Sequence, residues 1–248
     1  MKKPIDFLGR PDGLGNRFEQ LILLKIFQEK TGNEVVYHWN NLQSFRSDRK
    51  YDIRFSIEGI QIVELTKENL NKGFRKDYHN FGYTPTQEEF LAAAAQIKPT
   101  FTINQDTSDC VGLHIRRGDK IKVNPPPSEM TPEQSQYCIQ RAFDFCRNEN
   151  VKKIFLCGDC PEILSQLQDE LSIDVVLGSD EYMDFFCLSR TQYILLASQI
   201  SSFAFCASLV GNKTLYNFIN PKEMREVDRK ILLRFNTKLV TYNERNKI

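Results

Sequence analysis

Cys110-Val111-Gly112-Leu113-His114-Ile115-Arg116-Arg117-Gly118-Asp119 joins a short apolar run to a charged turn. Its apolar part has the length and composition of a buried strand. From this segment onward, short apolar runs alternate with longer amphipathic segments, an order that is typical of parallel βαβ units. The predicted strands are residues 110–115, 153–157, 174–177, 193–197 and 213–217, and the predicted helices are residues 131–150, 161–171, 182–189 and 202–210.

The N-terminal half begins with the same order of elements and continues with weaker signals. Its predicted elements are a strand at 5–8, a turn at 11–16, a helix that starts near 18 and ends at Gly32, strands at 34–39 and 60–65, and a helix at 85–97. A domain boundary is predicted between residues 98 and 109. The expected domains are therefore residues 1–105 and 106–220, with a charged last segment, 221–248, that packs back on the first domain.

Composition and charge narrow the classes of function. The 248 residues include 33 basic and 32 acidic side chains, a net charge of +1, without the basic excess of a nucleic-acid-binding protein. No run reaches the roughly 18 apolar residues that span a bilayer, and no apolar signal core follows the first methionine. We therefore expect a cytoplasmic protein, in solution or resting on a membrane surface, with reduced cysteines. The sequence does not indicate an oligomeric state.

Polar clusters follow three of the predicted strands. Because ligands bind beyond the carboxyl ends of the strands in open α/β sheets, each cluster is a candidate site. In the first, Arg116 and Arg117 offer planar guanidinium groups that match phosphate oxygens. If the extended geometry continues, the two side chains point to opposite sides, so that one faces a ligand while the other pairs internally. A solvated charged loop is the alternative interpretation.

The second and third clusters are smaller. Asp159 is suited to accept hydrogen bonds from a base or a ribose, or else to cap the helix that follows. Its neighbours Cys157 and Cys160 would suit zinc or redox chemistry, but no second pair of ligands lies near them, so we predict no metal site. Ser201 and Ser202 begin a helix, where hydroxyls and backbone N–H groups bind anions, and a plain N-cap is the alternative.

Two further features have competing interpretations. Gly13-Leu14-Gly15 stands between a strand and a helix, like the opening of a dinucleotide fingerprint, but Phe18 occupies the place of the third glycine. No acidic residue ends the second strand either, which argues against a nicotinamide-dependent dehydrogenase. His114 alternates with apolar residues, so it either contacts a ligand or is a satisfied core histidine. Together with His38 and His79 it shows no metal-ligand pattern.

Taken together, these motifs resemble the fucosyltransferase superfamily, which includes α1,2-, α1,6- and protein O-fucosyltransferases. Residues 114–119 match its His-x-Arg-Arg-Gly-Asp signature, most closely that of the α1,2 branch. Residues 13–20 are similar to its Gly-x-Gly-Asn motif. Weaker similarities to its strand ending in Ser/Thr-Asp-Asp, its Asp-x-x-x-Met/Leu-Ser helix and its Ser-rich segment lie at 155–159, 184–189 and 201–203.

The resemblance implies a GT-B-like fold, in which two Rossmann-like domains are separated by a cleft. It also implies an inverting transfer of fucose from GDP-fucose to a hydroxyl of a glycan, without a metal ion or other cofactor. Carried over by position, the donor-binding residues are Gly13, Gly15, Asn16, His114, Arg116, Arg117, Asp159, Ser201, Ser202 and Phe203. Arg116 would bind the β-phosphate, while His114 and Asp159 would lie near the guanosine.

The chemistry of the transfer suits these residue types. The leaving GDP gains negative charge in the transition state, so Arg116 would stabilise it and count as a catalytic residue. A carboxylate could accept the proton of the acceptor hydroxyl, and the candidates are Asp12, Glu19 and Asp119. Asp119 could instead orient the arginines. The alternatives are a same-fold enzyme that uses another nucleotide 6-deoxysugar, such as a rhamnose donor, and a catalytically silent protein that binds nucleotide sugars or glycans.

Overall fold

The computed structural model of the chain describes residues 3–42, 50–70, 73–75, 84–115, 130–158, 162–198 and 201–218. The chain divides into two compact units, Met1–Thr102 and Ile103–Ile248. The segment 221–248, for which we predict packing on the first domain, lies outside the described residues. Among the helices in the described ranges, none is long and apolar enough to cross a membrane.

The first unit is built on a three-stranded parallel sheet. Its elements are β1 (Ile5–Leu8), α1 (Leu14–Thr31), β2 (Val35–Trp39), β3 (Phe55–Ile57), β4 (Ile60–Glu64), a 3-10 turn (Lys67–Asn69), α2 (Gln87–Ala94) and β5 (Ile97–Pro99). The parallel sheet has the order β1-β2-β4, and β3 pairs with β5 in a separate antiparallel ladder. The segment β1-α1-β2 is thus a βαβ unit, as the sequence pattern predicts.

The core of the first unit contains the apolar side of α1. Phe18 packs edge-on against Phe55, with ring centroids 4.9 Å apart, and Phe27 packs in the same way against Phe7 at 5.6 Å. The helix ends at Gly32, whose φ of 61° is the left-handed conformation that glycine adopts at low cost. This packing anchors α1 and, with it, the turn that connects β1 to the helix.

The second unit is a five-stranded parallel sheet. Its elements are β6 (Val111–Ile115), α3 (Pro132–Asn148), β7 (Lys153–Gly158), α4 (Glu162–Ser165), a π-helical segment (Gln166–Glu170), β8 (Asp174–Leu177), α5 (Glu181–Arg190), β9 (Ile194–Leu196), α6 (Ser202–Gly211) and β10 (Leu215–Asn217). The strand order is β10-β9-β6-β7-β8. The chain therefore builds outward from β6 to β8 and then returns to the other side of β6. This reversal creates a topological switch point between β6 and β9.

The central strand of this sheet is buried along its whole length, as expected for a parallel strand with helices on both faces. Gly112 lets α5 approach it closely, because a Cβ there would lie 2.6 Å from Cδ1 of Leu188 and 2.8 Å from Oγ1 of Thr191. Helix α3 begins with a capping box formed by Thr131 and Gln134. Close packing and capping together fix the helices around the ends of the strands.

The predicted fold class, α/β with two Rossmann-like units, is confirmed. All five strands predicted in the second unit are present, with small shifts at their ends. Two details of the first unit were wrong. The helix predicted at 85–97 ends at Ala94, and Ile97 belongs to β5 instead; strand β3 was not predicted. Within the described ranges β3 and β5 pair with each other, and a short strand with a distant partner has little periodicity of its own.

Candidate functional site

The switch point brings together residues from two motifs that are far apart in the sequence. Just after β9, the backbone N–H of Ala197 donates a hydrogen bond to the carbonyl oxygen of His114 on β6, at 3.0 Å. Nε2 of His114 lies 3.1 Å from Oγ of Ser201, the residue before α6. Both side chains are buried, with 7% and 1% of their surface exposed. The site thus joins the end of β6 to the start of α6.

Two phenylalanine rings fix the plane of the imidazole. The ring of Phe203 stacks on that of His114, with centroids 5.2 Å apart and planes inclined by 22°. The rings of Phe203 and Phe185 are in turn nearly perpendicular, with centroids 5.4 Å apart. Phe203 itself remains half-exposed. A partly exposed aromatic ring beside a buried polar pair is suited to contact a flat apolar group of a ligand.

A buried thiol also contacts His114. Cys157 on β7 is its register partner, and Sγ of Cys157 lies 3.5 Å from Nδ1 of the imidazole. Burial raises the pKa of this thiol well above its usual range, and the charges of Asp184 and Cys187 raise it further. Because the thiol stays protonated at neutral pH, Cys157 is not a reactive nucleophile.

The start of α6 differs from the starts of α3 and α5. Those two helices are capped by the side chains of Thr131 and Asp180, and each has an acidic residue in its first turn. Helix α6 has no acidic residue there, and the hydroxyl of its N-cap residue, Ser201, contacts His114 instead of the helix backbone. No described side chain therefore caps the partial positive charge of this helix end, which is a favourable place for an anion.

Asp184 is a candidate that sequence reasoning did not single out, although it begins the motif at 184–189. Its carboxylate lies close to the end of β8, where the backbone N–H of Ser179 donates to Oδ1 at 2.7 Å. Gly178 leaves room for it, because a Cβ on that residue would overlap the carboxylate. Burial raises the pKa of Asp184 to about 6, against the lowering effect of the Ser179 hydrogen bond. A perturbed, partly buried carboxylate at a strand end is a candidate for ligand binding.

The Asp184→Asn variant is expected to be more stable than the wild type near pH 8. Because the pKa of Asp184 is higher in the folded than in the unfolded chain, its protonation favours folding, and this contribution is lost as the pH rises through about 6. The amide avoids burying a charge and can still accept a hydrogen bond from Ser179. After a discount for partial exposure, we expect a gain of about 1–2 kcal/mol at pH 8 that shrinks towards about pH 4.5.

Urea unfolding of both proteins at the two pH values measures this gain. A difference in unfolding free energy that is equal at both pH values would show that the carboxylate is not buried at a cost.

In the first unit, the predicted residues Asp12 and Gly13 lie in the turn between β1 and α1, and Gly15 and Asn16 lie in the first turn of α1. Asp12 is engaged there: Nη2 of Arg10 lies 2.6 Å from its Oδ2, and Nδ2 of Asn16 donates to the same oxygen at 2.8 Å. In this arrangement the carboxylate holds the two donors.

Two buried polar side chains of α1 support this turn. Nε of Arg17 donates to the carbonyl oxygen of Asp12 at 2.8 Å. Gln20 accepts a hydrogen bond from the backbone N–H of Arg10 at 2.9 Å and donates one to the carbonyl oxygen of Leu8 at 3.0 Å. Sequence reasoning gave neither side chain a role, although both lie within the motif at 13–20. Polar residues that fall on the buried side of the helix, next to Phe18 and Leu21, were the signal that could have found them.

The other predicted residues of this turn differ in their surroundings. Gly15 is buried at the start of α1, and Glu19 is half-buried further along the helix. Gly13 has an ordinary φ of −58°, and a Cβ there would meet nothing within 4 Å. Neither backbone conformation nor packing in the described part of the chain therefore requires glycine at this position. The choice between Asp12 and Glu19 as general base stays open.

Four predicted site residues, Arg116, Arg117, Asp119 and Asp159, lie outside the described residues, so their roles stay predictions. Ser202, the first residue of α6, is half-buried beside Ser201. Within the ranges that the structure describes, no group of three or more histidine, cysteine, aspartate or glutamate side chains is placed to hold a metal ion.

The sequence matches no protein-family model and no curated protein, but solved structures share its fold. The crystal structure of NodZ alpha-1,6-fucosyltransferase soaked with GDP-fucose superposes with a TM-score of 0.54 at 15% identity, over 84% of this chain and 93% of NodZ. NodZ from Bradyrhizobium gives a TM-score of 0.54 at 15% identity, over 84% and 94%. POFUT1 in complex with GDP-fucose gives 0.57 at 11% identity, over 85% and 94%. The chain therefore has the fold of these two fucosyltransferases.

Proposed function

We propose that this protein is a glycosyltransferase that transfers fucose from GDP-fucose to a hydroxyl group of a glycan. The observation that carries the proposal is the contact between His114 and Ser201, which belong to two motifs 87 residues apart and meet at the switch point of the sheet. Arg116 and Arg117 follow β6 directly in the sequence. The fold is shared with NodZ, whose crystals were soaked with GDP-fucose, and with POFUT1, whose structure was determined in complex with GDP-fucose.

In this proposal the second unit binds the nucleotide. The diphosphate lies at the start of α6, where backbone N–H groups, Ser201 and Ser202 donate to its oxygens and Arg116 supplies positive charge. Guanine presents an N–H and an amino group side by side, and a carboxylate can accept hydrogen bonds from both. Asp159 is the carboxylate that the family resemblance implies, and the position of Asp184 at the neighbouring strand end makes it a second candidate.

The chemistry follows from where charge develops. As the bond between the sugar and the phosphate oxygen breaks, the leaving GDP becomes more negative, and Arg116 and the α6 N–H groups stabilise it. The acceptor hydroxyl attacks from the opposite side of the sugar ring, which inverts the anomeric carbon. Its proton passes to a carboxylate, for which Asp12, Glu19 and Asp119 are the candidates. The N-terminal domain predicted from the sequence, residues 1–105, provides the acceptor side.

Thermal stability in the presence of nucleotides tests the donor. GDP and GDP-fucose at 100 times their dissociation constants should each stabilise the protein by about 2.7 kcal/mol, with or without EDTA. UDP, dTDP, GDP-mannose, UDP-sugars and NAD are the comparison ligands.

Each result of the comparison has a defined meaning. Stabilisation by UDP or dTDP compounds alone would replace GDP-fucose by another nucleotide sugar. Stabilisation by GDP without transfer of fucose to any of a panel of glycans would favour the catalytically silent binder. Stabilisation by none of the nucleotides would overturn the proposed function.

A further inference from the structure

We propose that Cys157 is a positioning residue: its thiol selects the tautomer of His114 and so leaves the hydroxyl proton of Ser201 for an anionic oxygen of the ligand. The inference rests on the proposed function, because the anionic oxygen is that of the donor diphosphate. It concerns the ordering of protons at the switch point, which neither the family resemblance nor the shared fold assigns.

The three side chains form a continuous row across two strands and a helix start. Cys157 and His114 are register partners in the parallel pair β6 and β7, so their side chains stand side by side on one face of the sheet. Sγ of Cys157 lies 3.5 Å from Nδ1, and Oγ of Ser201 lies 3.1 Å from Nε2 of the same ring. The stacked ring of Phe203 keeps the imidazole in the plane that serves both contacts.

The row can carry its protons in only one of two senses. A neutral imidazole has one nitrogen that donates and one that accepts. If the Cys157 thiol donates to Nδ1, then Nε2 carries the proton and donates to Oγ of Ser201. In the second sense, Nδ1 donates a hydrogen bond to the sulfur, which is a weak acceptor, and the Ser201 hydroxyl donates one to Nε2. A thiolate would be a strong acceptor and would favour the second sense. Because burial keeps the thiol protonated, the sulfur stays a weak acceptor with a proton that it can donate to Nδ1, and this favours the first sense.

The first sense has a consequence for the ligand. Because Oγ of Ser201 accepts a hydrogen bond from His114 in this sense, the hydroxyl proton of Ser201 can point towards the space in front of α6. A phosphate oxygen has lone pairs and no proton, so it needs a donor there. The serine hydroxyl makes no capping hydrogen bond to the helix backbone that would compete. The buried thiol therefore prepares a hydroxyl donor at the anion site, although it does not touch the ligand.

Nitrogen-15 NMR of the histidine side chains measures the tautomer directly in the protein without ligand. The chain has three histidines, so the signals of His114 are identified by their loss in His114→Asn. Near pH 8, where imidazoles are neutral, we expect His114 to carry its proton on Nε2. We expect Cys157→Ser to keep this tautomer, because a hydroxyl also donates, and Cys157→Ala to lose it or mix it with the other. A proton on Nδ1 in the wild type would overturn the proposal.

GDP titration tests whether the tautomer matters for the ligand. Cys157→Ala should weaken GDP binding about fivefold, the effect of losing one weak hydrogen bond, and Cys157→Ser should restore it to within about twofold. Cys146→Ala is the matched control, because Cys146 is equally buried in the same unit and should leave GDP affinity unchanged. An unchanged affinity in Cys157→Ala, or an equal loss in Cys146→Ala, would also overturn the proposal. If the wild type binds no GDP, the proposed function fails, while the NMR result still decides whether Cys157 sets the tautomer.

Discussion

Arg116→Ala is expected to weaken GDP binding by about 1.5–3 kcal/mol, the usual contribution of a hydrogen bond to a charged group. Turnover of GDP-fucose should fall further, by about 10²–10³-fold, because a group aimed at developing charge contributes more in the transition state than in the ground state. Calorimetric titration with GDP measures the first effect. Initial rates at saturating GDP-fucose measure the second, once an acceptor is known.

Arg116→Lys separates charge from geometry in this experiment. Lysine keeps the positive charge but loses the planar fork that binds two oxygens at once, so GDP affinity and turnover should fall between those of the wild type and of the alanine variant. If Arg116→Ala binds GDP as tightly as the wild type, this arginine does not contact the phosphate, and Arg117 becomes the residue to test.

Gly158→Ala is expected to destabilise the second unit by about 4 kcal/mol or more, one of the largest effects that a single methyl group can have. Gly158 ends β7 with a φ of 140°, a conformation that side chains rarely adopt. A Cβ there would overlap the carbonyl oxygen of Ile115 and lie 2.9 Å from its carbonyl carbon. Both obstacles are backbone atoms of the neighbouring strand, so relief requires the ends of β6 and β7 to separate.

Chemical denaturation followed by fluorescence and circular dichroism measures this loss. Gly73→Ala is the control, because a Cβ on Gly73 would meet nothing within 4 Å, and its stability should stay within about 0.5 kcal/mol of the wild type. If Gly158→Ala proves as stable as Gly73→Ala, the close approach of the two strand ends is wrong.

Much of the fold of the second unit could be predicted because its signals are local. Parallel strands that are buried on both faces appear as apolar runs, and the helices between them are long enough to show a period. The strand order β10-β9-β6-β7-β8 could not be predicted in the same way. It depends on the side of β6 to which the chain returns after α5, and that choice is made by packing between distant segments. The missed pair β3 and β5 has the same cause.

The sequence predicted those site residues whose role follows from their position at the end of a strand or the start of a helix. His114 and Ser201 were found because one is near a strand end and the other precedes a helix, and the structure brings them together. Asp184 was missed as a site residue because it comes from the helix after β8. Its place is set by a contact with Ser179 and by the absent side chain of Gly178. A contact of this kind produces no periodic pattern in the sequence.

The fit of Asp184 against Gly178 also restricts how this sequence can change by mutation. A side chain at position 178 would overlap the carboxylate, so a substitution there either displaces Asp184 from its contact with Ser179 or has to follow the replacement of Asp184 by a smaller residue. The two positions are therefore epistatic, and only one order of replacement avoids the collision. If ligand binding requires the carboxylate, the replacement of Asp184 is selected against, and Gly178 is then retained as well. Among diverging descendants of this chain, a glycine at position 178 should thus mark the lineages that still carry an acidic group at position 184.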